Sequence, residues 1–326
     1  MRPDGVIPVV LAGLGETGRA IARAVVLRDD LEIVAAVDPD AALAGQPLDE
    51  LVGAPAPELR VESDLAEALA RAKGGVLLHS GTSRLEEALP DLRAAVRAGV
   101  HVVSTCEELV NPALDSAEDA EALDRLCEQR GVAVVATGVA PGFVLDRLPA
   151  FLSQVAGPVR HVRVIRVVDV TAGSGALRQK AGLGLAEDAF DEALERGEIG
   201  QPGLAQSAAL LAESCAGADE YEVDEEIVPL LAEEDGAVGR GEVAGVQQVA
   251  RVFAEDREVV RLELVLQAGA EDPRDEVELD ADPPLRLIIP GGVPGEVGTA
   301  HAVVNAIPAV LERQGLLTVL DLPAGR

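Results

Sequence analysis

Three glycines and one acid set the chemistry this chain can do. Gly13, Gly15 and Gly18 stand in G-x-G-x-x-G spacing at the end of an apolar run, VIPVVLAGLGETG, and Asp38 closes a second run, LEIVAAVD. Each glycine has a separate task. Gly13 allows a tight turn, Gly15 lets the backbone approach a pyrophosphate, and Gly18 lets the next helix pack on its strand. The pyrophosphate would rest on the helix N-terminus, where N–H groups and the dipole favour negative charge. Asp38 lies about 20 residues beyond the triplet, where an acid accepts hydrogen bonds from an adenosine ribose. The pattern predicts dinucleotide binding by Gly13, Leu14, Gly15, Glu16, Thr17, Gly18 and Asp38. An acid there disfavours a 2′-phosphate, so the expected cofactor is NAD. NADP becomes possible if Arg60 or Arg84 lies nearby.

Alternating elements must position these residues. Short apolar runs at 6–12, 31–37, 75–79, 100–104 and 132–137 read as strands. Segments 17–28, 64–72, 84–98 and 116–130 carry apolar residues at helical spacing, as in Leu85, Ala88, Leu89, Leu92 and Val96. This order predicts an α/β fold, a Rossmann-type doubly wound parallel sheet, with ligands bound beyond the carboxyl ends of its strands. From about residue 156 the texture changes. Runs at 159–169, 246–254, 258–267 and 285–289 read as strands of a second, α+β domain with a mostly antiparallel sheet. Helical patterns at 187–196 and 204–216 interrupt them. The acidic segment 270–284 reads as an exposed loop, and 298–311 as a helix returning to the first domain. The expected division is residues 1–140 with 297–326, and residues 141–296.

Other residues carry alternatives. Ser80, Gly81 and Thr82 follow a strand and suit either cofactor contact or capping of the next helix. Cys106 follows another strand, where a thiolate could attack a carbonyl, although no histidine adjoins it in sequence to act as base and a small packed cysteine explains it as well. Arg178, Gln179 and Lys180 form a polar cluster suited to a substrate pocket or to a solvated turn. His301 has no partner that would make it a site. Cys106, Cys127 and Cys215 show no metal or disulfide spacing, so no metal is expected and a reducing cytoplasm is.

The net charge of −30 argues against nucleic acid and anionic membranes as partners. No apolar stretch is long enough to span a bilayer. Aromatic residues are 2% of the chain, so any pocket must have aliphatic walls, with Phe143 the exception available.

The motifs GLGETG, STCEEL (104–109), TGVAPGFVLD (137–146), LRQKAGLG (177–184), GTAHAVVNAIP (298–308) and LTVLDLP (317–323), in this order, are similar to those of the 2,4-diaminopentanoate dehydrogenases. The related native amine dehydrogenases share the pattern, within the wider dihydrodipicolinate reductase-like group. The resemblance covers nearly the whole chain. It implies NAD(P)-dependent oxidative deamination of a small amine, or reductive amination of a ketone or aldehyde with ammonia, by a homodimer.

It also implies a glutamate beside the nicotinamide. That motif falls on Glu107 and Glu108, with Thr105, Cys106, Ala140 and Pro141 along the cofactor. Only one glutamate can face the pocket, and Glu107 is favoured. A carboxylate there can stabilise a cationic iminium and move protons to and from nitrogen and oxygen. The plain alternative is that both acids open the following helix. Ala140 stands where the family carries asparagine, and Gln201 and Gln206 replace its histidine and acid. Two other readings stay open: a non-catalytic NAD(H)-binding protein, and an imine or dihydrodipicolinate-type reductase.

Overall fold

The computed structural model describes residues 5–323 and 325. The chain divides into two compact units, Met1–Phe143 with Pro294–Arg326, and Val144–Val293.

The first unit is built on six parallel strands. β1 (Ile7–Ala12), β2 (Leu31–Val37), β3 (Val76–His79), β4 (His101–Ser104) and β5 (Ala133–Ala136) alternate with α1 (Glu16–Val25), α2 (Leu48–Val52), α3 (Leu65–Ala70), α4 (Leu85–Ala98) and α5 (Ala117–Arg130). The sheet order is β12-β5-β4-β3-β1-β2, with β12 (Gly315–Leu317) supplied by the C-terminal segment. At three residues, β12 is too short to announce itself by periodicity. The strands are near-continuous Val/Leu/Ala runs, as expected of strands buried on both faces.

α1 ends three residues before the expected boundary. Arg28 turns back instead, placing its Nε and Nη2 at 2.8 and 2.7 Å from the Asp30 carboxylate. α10 (Gly295–Leu311) begins a turn earlier than expected and packs on α1, β4 and β5, burying Val303, Val304 and Ile307. The strand order reverses at β1, between β2 and β3. Ligands of such sheets bind at this switch point, beyond the carboxyl ends.

The second unit holds α6 (Arg147–Ser153), α7 (Gly175–Lys180), α8 (Glu187–Glu195) and α9 (Leu204–Cys215). Its strands are β6 (His161–Asp169), β7 (Glu222–Leu231), β8 (Val243–Ala254), β9 (Arg257–Gln267), β10 (Arg274–Asp280) and β11 (Leu285–Pro290). They form one sheet in the order β11-β10-β6-β9-β8-β7, antiparallel except for the parallel β6–β9 pair. The expected loop over 270–284 is wrong: its centre is β10, an interior strand. Val277 and Leu279 pack on one face, while Asp275, 1% exposed, meets the Arg166 guanidinium at 2.5 Å. The acidity misled because most of the neutralising arginines, Arg163, Arg166 and Arg286, lie on other strands. β7, acidic and carrying Pro229, escaped notice for a similar reason and occupies an edge, where proline is tolerated.

Among the described residues, no helix is long and apolar enough to cross a membrane.

Candidate functional site

The glycine loop joins β1 to α1. Gly13 has φ +90°, and a Cβ there would lie 2.6 Å from the Ser80 carbonyl carbon. A Cβ on Gly18 would lie 1.9 Å from the Gly13 carbonyl oxygen, so the helix approaches the loop too closely for any side chain. Gly15 differs, because a Cβ there would meet nothing within 4 Å. The chain itself does not require glycine at 15, but an incoming group resting on the backbone would. Gly15 is also the N-cap of α1 and lends no side-chain cap to the helix start. An open approach, glycine at the point of contact and an uncapped helix N-terminus suit a pyrophosphate.

Asp38, at the end of β2, is 8% exposed. Its Oδ2 accepts the Leu14 N–H at 2.6 Å and its Oδ1 accepts the Asp40 N–H at 2.9 Å. Each carboxylate oxygen has a second lone pair, leaving capacity for ribose hydroxyls. The Leu14 backbone is engaged on both sides, since its carbonyl accepts Arg19 Nε at 2.8 Å. Glu16 is exposed and Thr17 half-buried beside it. The residues present therefore fit an adenine dinucleotide.

The loops after β1, β3 and β4 are bonded into one ledge at the carboxyl edge of the sheet. Ser80 Oγ donates to the Gly13 carbonyl at 3.0 Å. Gly81 is exposed beside it, while Thr82 accepts the Arg84 N–H at 3.1 Å and donates to Glu87. Thr105 N–H donates to the His79 carbonyl at 2.9 Å. Cys106 Sγ and Glu108 N–H both reach the Ser83 carbonyl, each at 3.3 Å.

Glu108 accepts Arg84 Nη1 at 2.9 Å and the Leu85 N–H at 2.7 Å, so it caps α4 and pairs with the residue before it. Glu107 is half-buried and opens a short 3-10 turn, Glu108–Val110. Burial pushes the Cys106 thiol up to about 12, with the Glu108 and Glu107 charges adding to the effect. A thiol held protonated in this way is a packed side chain and not a nucleophile.

The loop after β5 closes the ledge. Ala140 is half-buried and Pro141 buried. Gly142 has φ +116°, and a Cβ there would lie 2.1 Å from the Gly138 nitrogen. Val139 N–H donates to Thr299 Oγ1 of α10 at 3.1 Å, which joins two motifs 160 residues apart. Phe143, half-buried, ends the unit. Sequence reading missed three polar residues at this edge: Thr299, Ser104 and His79. Each lies inside or beside a noted motif, but none has a spacing that signals its partner.

Several expected contacts are engaged elsewhere or lie in the other unit. Arg60 Nη1 donates to the Gly45 carbonyl at 2.7 Å, and Arg84 pairs with Glu108. Arg178, Gln179 and Lys180 form the last turn of α7 in the second unit, with Arg178 and Gln179 exposed. The buried Gln201 backbone is held on both sides by Gln248, which accepts its N–H at 2.7 Å and donates to its carbonyl at 3.0 Å. Gln206 is buried in α9, and His301 is exposed on α10.

Comparison with known proteins agrees over the full length. The family described as the 2,4-diaminopentanoate dehydrogenase C-terminal domain matches residues 143–326. The 2,4-diaminopentanoate dehydrogenase of Acetoanaerobium sticklandii is 23% identical, with 98% of this chain and 94% of that one covered. An amine dehydrogenase of Streptomyces virginiae is 31% identical over 50% of this chain and 46% of its own. The structure of amine dehydrogenase from Mycobacterium smegmatis superposes with a TM-score of 0.84 at 25% identity, covering 98% of this chain and 97% of that one. The chain belongs to the 2,4-diaminopentanoate dehydrogenase family.

Proposed function

We propose that this protein is an NAD(P)-dependent amine dehydrogenase. It interconverts a small aliphatic amine with its ketone or aldehyde and ammonia. The observation that carries the reading is the position of Glu107, which leaves β4 on the ledge that also holds the glycine loop.

The bound nicotinamide would supply or accept the hydride. Gly15 and the α1 N-terminus would hold its pyrophosphate, and Asp38 its ribose. In the direction of amination, ammonia attacks the carbonyl carbon and water leaves, giving an iminium on the substrate. Glu107 carries the proton that nitrogen releases to the oxygen, a second proton from solvent lets that oxygen leave as water, and the carboxylate stabilises the positive charge of the iminium. Glu108 caps α4 through the Leu85 N–H, a scaffold role, and the proton-handling role is proposed for Glu107. Aliphatic side chains would wall the pocket, in keeping with the scarcity of aromatic residues.

We assign NAD as the preferred cofactor. The Asp38 carboxylate at the end of β2 would repel a 2′-phosphate, and Arg60 and Arg84 both have other partners. Steady-state kinetics with NADH and NADPH test this, and a preference for NADPH would overturn it. The three cysteines are free thiols, which suits a reducing, cytoplasmic setting.

A homodimer is also proposed, formed through the outer face of the second unit's sheet. Strand registers place three rows across that face. The first is Arg286, Glu278, Arg163, Arg261, Arg251 and Asp224. The second is Ile288, Glu276, Ile165, Glu263, Val249 and Glu226, and the third is Pro290, Arg274, Val167, Val265, Gln247 and Val228. Five arginines balance five acids there, on a chain whose net charge is −30. Repulsion between copies is weakest at such a face, and the third row is mostly apolar. Six strands by three rows cover about 600 Å² per copy, or about 1,200 Å² in total, the lower bound of stable interfaces.

A further inference from the structure

We infer that Ser104 is a positioning residue for Glu107, held in that task by His79. The inference rests on the reading of Glu107 as the proton-handling carboxylate. Ser104 ends β4 and is 0% exposed. Its Oγ accepts the Cys106 N–H at 3.0 Å, a local bond that bends the chain out of the strand. Glu107 follows with φ −69° and ψ −38°, and Val110 N–H returns to its carbonyl at 3.4 Å. The serine bond thus fixes the direction in which Glu107 leaves the sheet.

A buried hydroxyl needs an acceptor for its own proton. His79 Nδ1, 2.9 Å from Ser104 Oγ, provides one. His79 is 1% exposed, and burial pushes its imidazole down to about 4, so it is neutral at ordinary pH. With Nδ1 accepting, the ring proton lies on Nε2. Asp91 Oδ2 is 3.8 Å from that nitrogen, and its negative charge favours this tautomer. The same imidazole underlies the loop after β3, since a Cβ on Gly81 would lie 3.5 Å from Nε2. A polar chain therefore runs from α4 through His79 and Ser104 to the backbone just before Glu107.

Ser104→Ala in the full chain tests this. Three quantities are read: ammonium-dependent NADH oxidation, NADH binding by fluorescence, and hydrogen exchange of the amides of residues 105–110. The expected result is a loss of about tenfold or more in kcat, since small misplacements of a catalytic group are costly. NADH affinity should hold and exchange should rise. Ser104→Thr, which keeps the hydroxyl, should restore most of the rate. In a Glu107→Gln background, Ser104→Ala should lower the residual rate no further, because no carboxylate is left to misplace. An unchanged kcat, or the same loss with and without Glu107, overturns the inference. If Glu107→Gln itself keeps full turnover, it is the assignment of Glu107 that fails. If Glu107→Gln collapses while Ser104→Ala is silent, only the positioning role fails.

Discussion

The Glu108 carboxylate lies 2.9 Å from Arg84 Nη1 and also accepts the Leu85 N–H, so one of two adjacent acids is part of the scaffold. Glu108→Ala removes a cap from α4 and should lower the unfolding free energy by about 1–2 kcal/mol. Denaturant titration measures it. Glu108→Gln keeps an acceptor for the Leu85 N–H and should keep most of both stability and turnover. If Glu108→Gln were as inactive as Glu107→Gln, the assignment of the proton-handling role would be wrong.

The glycines of the first loop should separate by experiment. Gly18→Ala forces a Cβ to 1.9 Å from the Gly13 carbonyl oxygen and should destabilise the unit severely. Gly15→Ala meets open space, so its melting temperature should match the wild type while NADH affinity falls at least about tenfold. Unaltered NADH binding by Gly15→Ala would contradict the placement of the pyrophosphate.

Acid should weaken the first unit through His79. Its folded pKa, about 4, lies below the ordinary value of 6.5. Between these values the unfolded chain takes up a proton that the folded chain refuses. Stability is therefore intact above pH 6.5 and falls towards pH 4, by on the order of 3 kcal/mol. Burial lowers the His101 pKa as well, with the same sign. Urea midpoints at pH 7 and pH 5 measure the slope, and His79→Asn should flatten it. A midpoint that does not move between these values would show that His79 is not held neutral.

Light scattering coupled to size exclusion tests the sheet face. The wild type should elute with the mass of two chains, and Val265→Glu, at the centre of the third row, with the mass of one. Leu27→Glu, on an exposed position of the first unit, serves as control and should stay dimeric. A monomeric wild type, or a Val265→Glu variant that remains dimeric, would remove this interface.

Much of the first unit was legible in the sequence, because each strand is a dense apolar run and each helix shows regular spacing. The five strands from β1 to β5 fall within a residue or so of their expected bounds. The glycine loop was legible because its geometry forbids side chains at Gly13 and Gly18. The second unit read less clearly. β10 and β7 carry many charges, and Arg166, Arg251 and Arg286, which help to compensate them, come from other strands. At the site, residue types pointed to Glu107 and Glu108 together. The contact of Glu108 with Arg84 and Leu85, over 20 positions away, is one that no local pattern encodes. Ser104, His79 and Thr299 were hidden likewise, as their roles depend on pairings between loops.

The most direct measurement is NADH oxidation followed at 340 nm with a panel of small aliphatic ketones and aldehydes. Each is assayed with and without excess ammonium, for the wild type and for Glu107→Gln. Amine dehydrogenase chemistry predicts oxidation only when carbonyl and ammonium are both present. It also predicts a loss of about 10²-fold or more in Glu107→Gln, with NADH binding preserved. Equal rates without ammonium would point to a carbonyl or imine reductase. No oxidation with any small carbonyl, while NADH still binds, would contradict the account and favour a cofactor-binding protein without this chemistry.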